Sequence, residues 1–183
     1  MARFINKGFT LIELLVVISI IGLLAAAGLA VFKSAMERGR VAQGISHARE
    51  IRDMALRYKI DTGIWPPDYR LTTVLNPFTT DTGVAGWNGP YASNWQAAHT
   101  WRGHIGWLTY DLDGNGDKEG AVVFDDDAPG TDSSDNTGAI PLSSMILIDK
   151  TLDDGVLGTG FVRGNGLGFG AAVGEIVIWY GEN

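Results

Sequence analysis

The run from Phe9 to Phe32 holds 24 residues and a single ionisable side chain, Glu13. As an α-helix rising ~1.5 Å per residue it spans ~36 Å, enough to cross a bilayer core of ~30 Å. A secretory signal would place a charged region, a short apolar stretch and then a small-residue cleavage site in that order. Here the order is reversed. The small residue Gly8 precedes the apolar run and follows a short leader carrying Arg3 and Lys7. Basic residues flank both ends, with Lys33, Arg38 and Arg40 on the far side, so charge counting leaves the topology open.

Beyond the apolar run, Lys33 to Asp61 contains no proline, and Val41, Ile45, Ala48, Ile51, Ala55 and Tyr58 recur at steps of three and four. That spacing describes one apolar stripe on an amphipathic helix. Nothing between the two segments forces a break, which predicts one continuous helix from about Phe9 to Asp61, about 80 Å long at ~1.5 Å per residue. Asp61-Thr62-Gly63 stops it, with Gly63 as the C-terminal cap, and Pro66-Pro67 prevents a restart.

The remaining residues, 63–183, are rich in Gly, Asp and Trp. Their strand candidates are Trp107–Tyr110, Ala121–Phe124, Met145–Ile148 and Glu175–Tyr180, separated by long loops such as Asp111–Gly120 and Asp125–Gly138. Short strands with no second helical pattern between them predict an α+β fold: a long N-terminal helix packed against a small antiparallel sheet.

Three features carry chemistry. Glu13 is the first. A carboxylate at membrane depth costs about 2.5–3.5 kcal/mol on insertion scales. Either it reaches the headgroup region, or a partner comes from another chain or from a new amino terminus made by cleavage at Gly8.

The second is Asp111, Asp113, Asn115, Asp117 and Glu119, oxygens at alternate positions with Gly116 allowing the turn, as in the first half of a calcium loop. Position twelve is Val122 rather than Glu, and the nearest further carboxylates begin at Asp125. Between residues 111 and 135 stand nine acidic residues and one basic, Lys118, so the loop needs either a counter-ion or full solvation. Calcium with Asp111, Asp113, Asn115, Asp117, Glu119 and Asp125 as ligands is one reading; a solvated acidic loop is the other.

The third is aromatic: Trp65, Trp87, Tyr91, Trp95, Trp101, Trp107 and Tyr110. They form either an exposed platform for glycans or peptides, or the filling of a core poor in aliphatic residues.

Other functions are poorly supported. The formal charge of −7 argues against contact with nucleic-acid phosphates. The absence of Cys excludes disulfides and thiolate metal sites. His99 and His104 stand five apart in a loop, a poor spacing for two ligands on one face. No Ser occupies a G-x-S-x-G context. The glycines at 164, 166, 168 and 170 precede a strand with no β-α-β unit after it, so they read as a turn-rich connector rather than a nucleotide loop. No enzyme is expected.

Lys7-Gly8-Phe9-Thr10-Leu11-Ile12-Glu13-Leu14 resembles the class III leader junction of type IV pilins and type II secretion pseudopilins: a basic leader ending in Gly, then Phe, with Glu at the fifth mature position. The segments Tyr58–Pro66, Gly89-Pro90-Tyr91 and Ile148–Gly155 also resemble pilin elements, whereas Ala30 stands where pilin helices usually carry proline. The resemblance implies cleavage between Gly8 and Phe9 by a membrane prepilin peptidase, methylation of the new terminus, and pairing of Glu13 with Phe9 of a neighbouring subunit. It implies residues 1–8 as leader, 9–32 as the transmembrane half of the helix, 33–62 as the amphipathic half, and 63–183 as a loop-rich β domain on the filament surface.

The partners implied are copies of the same chain through their N-terminal helices, the peptidase, other pseudopilins, an assembly platform in the bacterial inner membrane, and the membrane itself before assembly. The C-terminal domain would be periplasmic or extracellular. Absence of Cys and presence of Glu13 incline this reading to the major pseudopilin of a type II secretion system, a family that binds calcium. A type IV pilus or competence pilin is the alternative. A membrane-anchored, calcium-dependent glycan or exoprotein binding module is the second.

Overall fold

The structure, a computed structural model, describes residues 8–70, 75–129 and 137–181. The basic leader residues Arg3 and Lys7 and residues 130–136 of the long acidic loop lie outside the described residues. The chain divides into two compact units, Met1–Gly39 and Arg40–Asn183. Helix α1, Leu11–Thr62, is one continuous element that belongs to both.

In the first unit the helix shows apolar side chains on every side. Leu14, Leu15, Val16, Val17 and Ile18, five successive residues that together go round the helix, are all exposed, and so is Phe32 at the far end of the run. Among the described residues this is the one helix long and apolar enough to cross a membrane. The start is fixed by a reciprocal cap: the Glu13 amide donates to Thr10 Oγ1 (3.2 Å) while the Thr10 amide donates to Glu13 Oε2 (2.8 Å). This is the capping box that Thr-x-x-Glu before an apolar run encodes.

In the second unit the stripe read from the sequence is the buried face. Val41, Ile45, Ala48, Ile51, Ala55 and Tyr58 all belong to the main hydrophobic cluster. The helix ends as its sequence demands, with Gly63 in the left-handed region (φ 77°) and its amide donating to the Lys59 carbonyl (2.8 Å).

A four-stranded antiparallel sheet supplies the rest of the core. Its strands are β1 (Ile105–Tyr110), β2 (Glu119–Phe124), β3 (Val162–Gly164) and β4 (Ile176–Trp179), in spatial order β1-β2-β4-β3. Alternation along the strands divides their side chains between two layers. Ile105, Trp107, Val122, Phe124, Ile176 and Ile178 join the cluster that contains the α1 stripe. Leu108, Ala121, Val123 and Val177 pack with Ala171 on the other face. The aromatics belong to this core: Trp101, Trp107 and Tyr91 are buried, Trp65, Trp87 and Trp95 pack against them, and only Tyr110 of the seven is mostly exposed. Phe78 and Trp95 stack with centroids 5.2 Å apart, and Trp65 lies 5.4 Å from Trp107.

One strand expectation is corrected. Met145–Ile148 lies inside a second helix, α2 (Leu142–Leu152). Four apolar residues in a row fit a buried strand or one turn of helix equally well. Here Pro141 stands before the first turn, and the buried positions Ser144, Met145, Ile148 and Asp149 recur at helical spacing. Strand β3 has no counterpart among the strand candidates, because three residues ending in Gly164 carry almost no alternation. The glycine-rich stretch after it connects β3 to β4, tied by Asn165 N–H to the Glu175 carbonyl (2.9 Å) and Gly166 N–H to the Ala171 carbonyl (3.1 Å).

Candidate functional site

The residues around the predicted cleavage point sit at the start of α1. Gly8 and Phe9 precede the helix, and Phe9 is exposed. Glu13 lies in the first turn, where its negative charge faces the positive end of the helix dipole. Its Oε2 accepts hydrogen bonds from both the amide (2.8 Å) and the hydroxyl (2.7 Å) of Thr10. The expectation that a partner must come from another chain or a new amino terminus is therefore refined. Neutral donors three residues upstream already engage this carboxylate.

The acidic loop is the β1–β2 hairpin connection. Antiparallel pairing of Tyr110 with Glu119 brings the two ends of the segment together, so carboxylate oxygens of Asp111, Asp113 and Glu119 lie within 4.8 Å of one another. Asp111 accepts from the amides of Gly114 (2.7 Å) and Gly116 (3.1 Å). Asp113 accepts from the Asn115 amide (3.0 Å), and Asn115 Oδ1 accepts from the Asp117 amide (2.7 Å). Gly116 holds φ 98°, the left-handed backbone the turn requires. Glu119 Oε2 accepts from the Leu112 amide (2.9 Å) and is largely buried at the root of the hairpin. Val122, at the twelfth position, is a buried strand residue paired with Trp107. Asn115 and Asp117 stand at the exposed tip.

Asp125 is placed elsewhere, in a group with Asp126 and Asp127 just after β2. That group borders a cleft of about 490 Å³ with Arg70, Phe169 and Glu175. Burial, and then the charges of Asp125 and Asp126, push the Glu175 carboxyl up to about 7. Burial likewise raises Asp126. Behind this group, His99 Nδ1 accepts from the Trp101 amide (3.2 Å) and Nε2 donates to the Asp125 carbonyl (2.8 Å). With both nitrogens engaged and the ring buried, the imidazole is held neutral, its pKa lowered to about 4 chiefly by desolvation. His104 is also buried, and neither histidine offers a metal ligand to solvent.

A third carboxylate group, Asp149, Asp153 and Asp154, was not singled out as a site from the sequence. The signal for it is the four-residue interval between Asp149 and Asp153. It becomes readable only once α2 is known to be a helix.

Comparison with known proteins finds similarity over part of the chain. Residues 3–29 match the prokaryotic N-terminal methylation motif. The chain is 41% identical over 64 residues to the type IV major pilin protein PilE of Neisseria gonorrhoeae, covering 35% of this chain and 38% of that protein. It is 38% identical over 68 residues to the fimbrial protein EcpC of Eikenella corrodens, covering 37% and 44%. A fimbrial protein of Neisseria meningitidis serogroup B is 39% identical over 62 residues, covering 34% and 36%. The chain thus spans less than half the length of these relatives. No solved structure gives a significant match. Over part of its length the chain is thus similar to proteins named as pilins and fimbrial proteins rather than enzymes. These relatives are named as a type IV major pilin and as fimbrial proteins, so the narrower identification as a type II pseudopilin gains no support from them.

Proposed function

We propose that the chain is a structural subunit of a type IV pilus: a membrane-anchored prepilin cleaved between Gly8 and Phe9 and polymerised through its N-terminal helix. The observation that carries this reading is α1 from Leu11 to Phe32, apolar on every exposed side yet opening on a capped glutamate at the fifth position after Gly8. A helix exposing so much apolar surface needs lipid or like helices around it. A carboxylate at its entry is tolerable if each incoming subunit neutralises it with the amine of Phe9. Similarity to type IV major pilins favours the pilus over a secretion pseudopilus. Intact mass and N-terminal sequencing of the protein from cells that have the peptidase test the reading. The expected result is a chain beginning at methylated Phe9, and retention of Met1–Gly8 would overturn it.

Calcium in the β1–β2 hairpin belongs to the same proposal. The gathering of Asp111, Asp113 and Glu119, with Asn115 and Asp117 on the same loop, supports a hard-cation site completed by water. The role assigned to it is rigidity of the outer domain, since no disulfide is available. Asp125 drops out of this ligand set because it lies with Asp126 and Asp127. Calorimetry on the full chain in detergent micelles is expected to show calcium binding that weakens sharply in Asp113→Asn.

A further inference from the structure

The α2–β3 connection contains an acidic group that the filament reading leaves without a role. Asp149 is in the last turns of α2, with Asp153 and Asp154 immediately after it, and one carboxylate oxygen from each lies within 4.8 Å of the other two. Two oxygens bound to one ion at about 2.4 Å each are never farther apart than about 4.8 Å, so this spacing allows the three to share one ion.

Acidic neighbours at a helix end are common, and hydrogen bonding accounts for much of this group. Asp153 Oδ2 accepts from the amides of Phe161 (2.6 Å) and Val162 (3.1 Å). Asp154 accepts from the Val156 amide (2.7 Å) and the Thr159 hydroxyl (2.6 Å). Asp149 differs from both. It is completely buried, its Oδ1 accepts from the Gly155 amide (3.0 Å), and its Oδ2 has no hydrogen-bond partner at all.

A buried polar atom without a partner carries its full desolvation cost, and a carboxylate oxygen can only be satisfied by a donor or a cation. Lys150 is the one cation between residues 149 and 160, and it makes no ion pair with these carboxylates.

We propose that Asp149, Asp153 and Asp154 form a divalent-cation site for calcium, separate from the β1–β2 hairpin, that fastens the end of α2 to the start of β3. All-oxygen, all-carboxylate donors select a hard cation over zinc or copper. A surface loop that supplies carbonyls and admits water suits the irregular shell of calcium better than the strict octahedron of magnesium. The ion would engage the buried Asp149 carboxylate, whose Oδ2 has no other partner, and cancel the repulsion among the three carboxylates. It would also brace the loop 153–162, which leads directly into the sheet.

The test uses the full chain in detergent micelles with the hairpin disabled by D111N/D113N, so that binding there cannot be mistaken for binding here. Calorimetry with calcium chloride is expected to find one remaining site per chain, with magnesium chloride binding far more weakly. Adding Asp149→Asn should abolish that heat and the calcium-dependent rise in thermal midpoint. Absence of binding by the hairpin-disabled protein at millimolar calcium would overturn the proposal, and so would unchanged affinity in the Asp149→Asn background. Should Asp149→Asn fail to fold, the exposed Asp154→Asn decides instead: removing one ligand charge is expected to weaken binding about tenfold or more, and equal affinity would be decisive against the site.

Discussion

The two parts of helix α1 share one backbone and follow opposite rules. From Leu11 to Phe32 apolar side chains face outward in every direction, and nothing within the first unit covers them. From Val41 to Tyr58 the apolar residues are confined to one stripe, and every member of that stripe is buried in the second unit. Helical propensity does not distinguish the two stretches. What differs is the partner each was selected for: a uniform apolar environment in the first case, one face of a sheet in the second. A hydrophobic pattern therefore reports the solvent of a helix as much as its conformation.

The comparison makes separable predictions. The largest effect is expected from Glu13→Val, which should nearly abolish filament yield in pilus-expressing cells. Denaturant unfolding of the second unit should stay unchanged, and a shifted unfolding midpoint would show that the two parts are not independent. Trp107→Ala should do the reverse. Emptying the fully buried Trp107 site is expected to cost about 3–5 kcal/mol by equilibrium denaturation in micelles, while membrane insertion remains normal.

Acidification comes next. His99 takes up its proton at about 4 when folded against 6.5 when unfolded, so the unfolded chain binds that proton first as pH falls. Its contribution is intact above pH 6.5 and is lost progressively down to pH 4, by about 3 kcal/mol in the limit. Glu175, raised to about 7, works in the opposite direction, since its folded form holds the proton more tightly. The histidine effect is therefore read as the difference between wild type and His99→Gln in denaturation midpoints at pH 7 and pH 4.5. Equal pH slopes would refute it. The smallest effect belongs to Thr10→Ala, where loss of the cap should cost about 0.5–2 kcal/mol of local helix stability. Faster hydrogen exchange confined to the first turn would report it, and unchanged exchange would mean that the cap contributes nothing.

Much of this molecule is legible from residues alone. The long helix, its buried stripe and its Gly63 terminus follow from spacing and from the left-handed backbone that glycine provides. Strands β1, β2 and β4 follow from β-branched and aromatic runs, and the hairpin cluster from alternate oxygens around Gly116. What could not be read had a physical reason. Met145–Ile148 is too short for periodicity to decide, so α2 was hidden, and with it the relation between Asp149 and Asp153. Asp125 is near the hairpin in sequence but lies beyond the whole of β2, which carries it to another group. Glu13 has two tasks at once, a charge at the membrane entry and the ordinary one of starting a helix, and the second is written in Thr10-x-x-Glu13 before an apolar run.

That cap has a consequence for any contact Glu13 makes with another chain. Both Thr10 bonds fall on one oxygen, Oε2, so a donor from another chain can be accepted by Oε1 without breaking them. The cap then acts as a clamp that sets the direction in which Glu13 offers its second oxygen, so that the carboxylate is oriented before any neighbour arrives.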